Sequence, residues 1–275
     1  MIKIEPHKEI TTLRLARRLP GLPPYFTTCH VVDGLMVDSG CAHTARELLA
    51  ALDREGIRPH TVVNTHRHED HIAGNAALHR RHNVRILAHA LALPVLADPR
   101  RRQPEPLYRR VMWGYPEPSW GEPIDEGEVI ETEHHRFQVL HTPGHSPDHL
   151  CLFEPERGWL FSGDLYIRGE DRGLRCDSEI WEVVASLRRL LALDASLLLP
   201  GSGSIQRSPR QAIERKIAYL ERTGQKVLEL HARGMGLEEI RARLFGRELL
   251  FFRVTQGDFN GKNLVRSFVA GATRR

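Results

Sequence analysis

The sequence predicts an α/β main domain followed by a helical appendage. Three observations carry that prediction. Strand-like and helix-like apolar periodicities alternate from Ile10 to Pro200. Three imidazoles and two carboxylates crowd into His66-Arg67-His68-Glu69-Asp70-His71, just after an apolar run that reads as a buried strand. Beyond about residue 205 the pattern turns helical and basic. The expected division is a main domain over 1–205 and a helical extension over 206–275.

The bulk numbers bound what such a chain can be. With 275 residues it can bury a full core. A hydrophobic content of 41% with 27% charged residues is ordinary for a globular protein. No run approaches a membrane span, because Val183 to Leu199 is broken by Ser186, Arg188, Arg189 and Asp194. Met1 to Lys8 has no apolar signal core, and Cys29, Cys41, Cys151 and Cys176 form no C-x-x-C pair. Both point to a reduced, cytoplasmic chain. The net charge is +4, but from residue 208 onward 14 Lys/Arg stand against 7 Asp/Glu, so the tail is +7 and the rest −3. Such a tail is either a solvated helical face or a surface for acidic partners.

Taken in order, Ile10 to Leu15 and Thr27 to Asp38 read as strands, the latter a hairpin turning at Asp33-Gly34. Asp38 follows an apolar strand directly. It is either a turn aspartate or a hydrogen-bonding partner of the loop carrying the histidines. Ala42 to Glu55 is helical and stopped by Gly56. Thr61 to Thr65 is the buried strand that delivers the histidine cluster, followed by a helix from about Gly74 to His82 and a strand over Val84 to Ala88. His79, His82 and His89 lack motif spacing and read as surface or packing residues. Asp98 to Glu122 reads as a long proline-rich loop carrying Tyr108, Met112, Trp113, Tyr115 and Trp120. It is either a substrate lid or a surface packed on the body or a partner chain. Strands at Arg136–His141, His149–Glu154 and Gly158–Ser162 follow, then a helix at Glu179–Leu193 and a strand at Ser196–Leu199. Helices at Pro209–Arg233, Leu237–Phe245 and Lys262–Ala270 complete the chain. Between them, Thr255 to Leu264 reads as a loop and a helix cap at Asn260, the alternative being a fold-back that brings Asn260 or Lys262 to a substrate.

The chemistry lies in three clusters. His66 and His68 alternate like strand-end ligands, and Asp70 and His71 turn back at the next helix. Gly144-His145, in a tight turn, supplies another imidazole. Gly163-Asp164 places a carboxylate after an apolar strand. Titratable groups gathered at a strand end are costly unless something satisfies them, and the natural partner is a divalent metal. Imidazole and carboxylate suit zinc, and also iron or manganese. The side chains divide into a three-histidine site (His66, His68, His145) and a mixed site (Asp70, His71, Asp164). Structural zinc sites favour cysteine and close all four positions. This set has carboxylates in excess and no cysteine, so it reads as a catalytic site.

With these residues in view, the chain resembles the metallo-β-lactamase-fold hydrolase superfamily, from Asp38 through Thr-His-Arg-His-Glu-Asp-His71 and His-Thr-Pro-Gly-His145 to Ser-Gly-Asp164. The glyoxalase II-like and lactamase-like 2 branches look nearest. The resemblance implies an αββα sandwich with metals at one sheet edge, a metal-bound hydroxide as nucleophile, and Asp164 bridging two ions. There is one departure. The family places a final histidine ligand in a turn after the last strand, and here Pro200-Gly-Ser-Gly203 puts Ser202 there. A serine hydroxyl is a poor zinc ligand, so one tight zinc and a weaker second one are expected. His149 is the nearest substitute in sequence, though a strand-start histidine reads better as support for a ligand.

The leading functional expectation is hydrolysis of a small ester, thioester or lactone, with Asp70 orienting the nucleophile and Tyr166 stabilising an oxyanion. Ser146 has no G-x-S-x-G elbow around it and is no nucleophile. Two rivals stand beside it. One is phosphodiester cleavage of single-stranded nucleic acid, prompted by the basic tail. The other is a mononuclear-iron site that oxidises sulfur compounds, prompted by the missing histidine. The partner expected is a small molecule, with no membrane; nucleic acid ranks below it, and a dimer is compatible with the sequence.

Overall fold

In the computed structural model, which describes residues 1–21, 23–103, 106–248, 252–253 and 255–272, the chain begins as a meander. Strand β1 (Ile2–His7) pairs antiparallel with β2 (Ile10–Leu15), and β2 with β3 (Thr27–Val32). Asp33 (φ 48°) and Gly34 (φ 77°) then turn the chain back as β4 (Leu35–Val37), the two positive φ values that a two-residue hairpin needs. β1 adds an edge strand where the sequence pattern predicted none.

From β4 onward the pairing becomes parallel. A 3₁₀ turn (Ala42–Thr44) and helix α1 (Ala45–Arg54) lead to β5 (Thr61–Val63). The short α2 (Glu69–Ile72) and α3 (Asn75–His82) lead to β6 (Arg85–Ala88). The 98–122 stretch is not the plain loop predicted from its prolines. After α4 (Leu93–Ala97) it winds through α5 (Pro99–Arg102) and α6 (Leu107–Met112) before β7 (Glu122–Pro123). Pro99 opens α5 and Pro106 caps α6, positions where a missing N–H costs nothing. The seven strands run in chain order across one sheet.

A second sheet, ordered β13-β11-β10-β9-β8, uses β8 (Val129–Glu131), β9 (Arg136–His141), β10 (Leu150–Glu154), β11 (Trp159–Gly163) and β13 (Leu197–Pro200), with β11 and β13 parallel. β12 (Leu174–Arg175) and helix α7 (Ile180–Leu190) intervene in the chain. Helices α8 (Pro209–Ala232) and α9 (Leu237–Phe245), strand β14 (Phe259–Asn260), which pairs with β12, and α10 (Gly261–Ala272) follow.

Three apolar clusters make this an αββα sandwich. Val32, Val37 and Val63 of the first sheet meet Phe137, Leu152, Phe161 and Leu199 of the second. Cys29, Val31, Met36 and Val62, pointing the other way along the same strands, pack on Leu48 and Leu52 of α1 and Leu78 of α3. On the far side, Phe153, Leu160 and Leu198 pack on Val184 and Leu187 of α7. Ile213, Ile217 and Leu220 of α8 and Phe268 of α10 join that same cluster. The described residues after 206 thus share a core with the second sheet. Among the described residues no helix is long and apolar enough to cross a membrane.

Candidate metal centre

The loops leaving β5, β9, β11 and β13 converge at one edge of the sandwich. Where β5 ends, Thr65 donates to Asp38 twice, from its backbone N–H to Oδ1 (2.8 Å) and from its hydroxyl to Oδ2 (2.8 Å). Its hydroxyl proton being spent there, Thr65 Oγ1 accepts from His66 Nδ1 (2.9 Å), which turns the unprotonated Nε2 inward. His71 Nδ1 also donates to Asp38 Oδ2 (2.8 Å), which leaves its Nε2 facing inward. Asp38 therefore holds the ligand loop and one of its imidazoles, settling the choice the sequence left open. It sits at φ 61°, an unusual conformation for aspartate.

His145 is fixed by its turn. A Cβ on Gly144 (φ 129°) would lie 2.3 Å from the Val183 nitrogen, so only glycine lets the turn sit on the start of α7. Ser178 donates to the His145 carbonyl (2.7 Å), and Ser186 to that of Pro143 (2.7 Å). His145 Nε2 then lies 3.0 Å from His68 Nδ1. At the end of β11, Gly163 (φ 46°) passes so close to His149 and Thr65 that a Cβ would clash with both. Asp164 N–H donates to His149 Nε2 (3.1 Å), while His149 Nδ1 donates to Thr142 Oγ1 (2.9 Å). Both His149 nitrogens are thus occupied. It props up Asp164 and offers no substitute for the missing histidine.

The predicted ligands fall together in two groups. Donor atoms of His66, His68 and His145 lie within 4.8 Å of one another, and so do those of His66, His71 and Asp164. Asp164 Oδ2 is 3.5 Å and Asp70 Oδ2 3.7 Å from His71 Nε2. Thr27 donates to Asp70 Oδ2 (3.1 Å). His66 Nε2, His71 Nε2 and Asp164 Oδ1 are buried with no hydrogen-bond partner. Nitrogen and carboxylate donors so placed fit divalent cations, which would displace the proton that His71 otherwise carries.

The electrostatics agree with that fit. Burial holds His66 and His68 neutral, far below the usual imidazole range. Burial also opposes the charge on His71, yet Asp164, Asp38 and Asp70 around its ring pull it well above that range. Asp70 is pushed up to about 6 by burial and by neighbouring Asp164 and Glu69, against the pull of His71. Asp164, despite its burial, is held low by His71. Buried negative charge is in excess here, and cations would balance it.

Tyr166 does not join the group. The chain turns directly after Gly163 (Leu165 N–H to the Ser162 carbonyl, 3.1 Å), sending Asp164 toward the histidines and Tyr166 into the apolar cluster. There the Lys216 ammonium lies 5.5 Å from its ring centre. The tyrosine near the centre is Tyr25, which sequence reasoning missed. It donates to Ser202 Oγ (3.2 Å), and burial together with Asp164 and Asp70 raises its pKa well above the ordinary value. Nothing in the local pattern Pro23-Pro24-Tyr25 marks it. The adjacent Gly201 abuts His71 and Asp164, so Ser202 does stand beside the mixed group.

The described residues of the 98–122 segment roof the centre. Gln103 donates to the Arg67 carbonyl, and Arg109 reaches Glu69 (3.4 Å) and Asp258 (2.6 Å). Tyr108 also donates to Asp258. The Trp113 ring meets Tyr25 and Tyr108 edge-on, each at 5.9 Å. The tail therefore holds the roof through Asp258. Asn260 accepts the Asn263 N–H (2.8 Å) as the cap of α10, in line with the reading preferred from sequence. Asp177, Arg175 and Asp148 were missed as well. Asp177 lies 3.9 Å from His68 Nε2 and 3.0 Å from Arg175, and Asp148 accepts the Arg67 N–H (2.7 Å).

Comparison with known proteins follows the same lines. The profile of the Metallo-beta-lactamase superfamily matches residues 22–202. An atrochrysone carboxyl ACP thioesterase from Aspergillus fumigatus is 28% identical over 233 residues, covering 81% of this chain and 66% of the relative. A hydroxyacylglutathione hydrolase from Mesorhizobium japonicum is 30% identical over 150 residues, 54% of this chain and 50% of the relative. The chain thus spans less than two thirds of the length of these relatives. A metallo-beta-lactamase family protein from Thermus thermophilus superposes with a TM-score of 0.73 at 20% identity, covering 96% of this chain and 94% of that one, a likeness of fold.

Proposed function

This chain belongs to the metallo-beta-lactamase superfamily, and from that premise we propose that it is a metal-dependent hydrolase of small acyl thioesters. The observation that carries the reading is the set of unpartnered, inward-facing atoms His66 Nε2, His71 Nε2 and Asp164 Oδ1. The choice of thioesters over esters and lactones rests on the two relatives named for thioester chemistry.

In this reading His66, His68 and His145 would hold one zinc, and Asp70, His71 and Asp164 would hold a second, more weakly. Ser202 contributes a neutral hydroxyl that already accepts from Tyr25. When bound, such ions lower the pKa of water to about 7 and polarise the carbonyl they touch. The chain's own side chains do the rest. Asp38 keeps His71 and the ligand loop in place. Asp70, steadied by Thr27, orients the attacking water. Tyr25, kept protonated by its buried acidic surroundings, would turn its single O–H from Ser202 Oγ to the oxygen on which charge develops, the role first given to Tyr166. The water oxygen bonds to the acyl carbon as the C–S bond breaks, giving a carboxylic acid and a thiol that takes the proton. We take 1–205 as the catalytic unit, 206–275 as an extension that secures its roof, and the reducing cytoplasm as its setting.

Metal content of untagged protein before and after dialysis, beside a panel of thioester, lactone, phosphodiester and persulfide substrates, tests this. Zinc-dependent thioester turnover with one ion outlasting the other is the expected result. Two ions retained equally would overturn the weak second site, and one iron with persulfide turnover would overturn hydrolysis. Phosphodiester cleavage ranks below this reading, because the relatives reported above are named for thioester chemistry.

A further inference from the structure

Some arginines of this chain have an acidic partner. Arg80 pairs with Glu117 (2.6 Å), Arg81 with Asp53 (2.9 Å) and Arg101 with Asp98 (3.7 Å). Among the described residues no carboxylate pairs with Arg17, Arg100 or Arg110, and these three gather at one place. A surface cavity of about 330 Å³ at the roof segment is lined by His43, Arg100, Arg110, Gly114 and Tyr115, with no acidic side chain among the described residues. Arg17 braces it from behind, donating to His43 Nε2 (2.7 Å) and to the Val111 carbonyl. The Arg100 guanidinium lies 5.8 Å from the Tyr115 ring centre. Gly114 (φ 76°) lets the backbone pass against His43, where a Cβ would come within 3.2 Å of the ring.

Cations collected without counterions repel one another, and an anion in their midst relieves this. Guanidinium forks match phosphate oxygens in pairs, which makes phosphate the best-fitting occupant. A run of contacts links the wall of the cavity to the metal centre. Trp113, whose carbonyl accepts the His43 N–H (3.2 Å), touches Tyr25, and Tyr25 reaches Ser202 beside His71 and Asp164.

We propose that this cavity binds the phosphate of a phosphorylated thiol carrier whose acyl thioester extends past Trp113 and Tyr25 to the histidines. The proposal rests on the thioester reading above. It makes the carrier's phosphate, and not the acyl group alone, a determinant of specificity.

Three thioesters of one acyl group, on coenzyme A, on 4′-phosphopantetheine and on unphosphorylated pantetheine, separate the sources of phosphate. Calorimetric binding of coenzyme A itself gives a readout that needs no turnover. The expected KM is about tenfold lower for a phosphorylated carrier than for pantetheine, with little change in kcat. Arg100→Gln with Arg110→Gln should remove that advantage and leave pantetheine thioester kinetics unchanged. Binding of coenzyme A should weaken as salt rises from about 50 to about 200 mM. Preference for coenzyme A over phosphopantetheine assigns the cavity to the nucleotide end, and equal preference assigns it to the phosphate on the arm. Equal KM for all three carriers, or an unaffected double variant, would overturn the proposal while leaving thioester hydrolysis standing. Coenzyme A binding without turnover of any thioester would instead remove the hydrolase reading and keep the pocket.

Discussion

The two halves of the metal centre are built by different physics. His66, His68 and His145 are imidazoles that burial keeps neutral, the form in which they bind a cation. The other half sets Asp70, Asp164 and Asp38 around the single ring of His71, with Ser202 and Tyr25 alongside. The first half is preorganised without its ion, while the second accumulates charge that an ion must balance. A half made of neutral donors tolerates the metal's absence better than one made of crowded carboxylates.

Paired ligand substitutions give the largest test of that contrast. His68→Ala should abolish thioester turnover and lower metal content, a loss exceeding the ~100-fold typical of groups that only support a ligand. Asp70→Ala should spare the first ion while reducing turnover. Equal metal loss in both variants, by elemental analysis, would break the distinction between the halves.

Tyr25→Phe comes next. Losing the hydroxyl beside Ser202 should lower kcat by about 100-fold, with KM and metal content unchanged. Tyr166→Phe, in the apolar cluster, should keep near-normal kcat. The reverse ranking in steady-state kinetics would return the oxyanion role to Tyr166.

The smallest effect concerns pH. His30 accepts from Thr12 (3.1 Å) and donates to the Pro200 carbonyl (3.0 Å), steadying the turn that carries Ser202. Burial lowers its pKa to about 4. The unfolded chain takes up this proton below about 6.5 and the folded chain only near 4, so the stability is intact above pH ~6.5 and lost as pH falls toward 4. The loss is on the order of 3 kcal/mol at its fullest. Urea midpoints across this range should fall more steeply for the native chain than for His30→Gln, and parallel curves would refute the assignment.

Legibility differed by residue. His66, His68, Asp70 and His71 could be read because they lie within one short segment, and Gly144 and Gly163 flagged their neighbours because the backbone there tolerates no side chain. Tyr25 could not. It lies in a proline-flanked stretch without periodicity, and its place follows from Thr28 pairing with Gly201 (2.7 Å), which brings two distant loops side by side. The 98–122 segment was misjudged because its prolines sit at helix starts as well as in loops. Asp258, rather than Asn260 or Lys262, reaches the roof, since Asn260 is consumed in capping α10.

By itself the sequence determined the α/β class and named the imidazoles and carboxylates that the fold gathers, while the layered sandwich came from the family resemblance. Apolar periodicity and ligand spacing are local properties, and local properties survive in one dimension. Only the tertiary structure decided which tyrosine faces the centre, that His149 is spent on Asp164, and that Arg100 and Arg110 line one cavity with Arg17 beside it. Each depends on which segments the sheet order brings together, and that is a property of the whole fold.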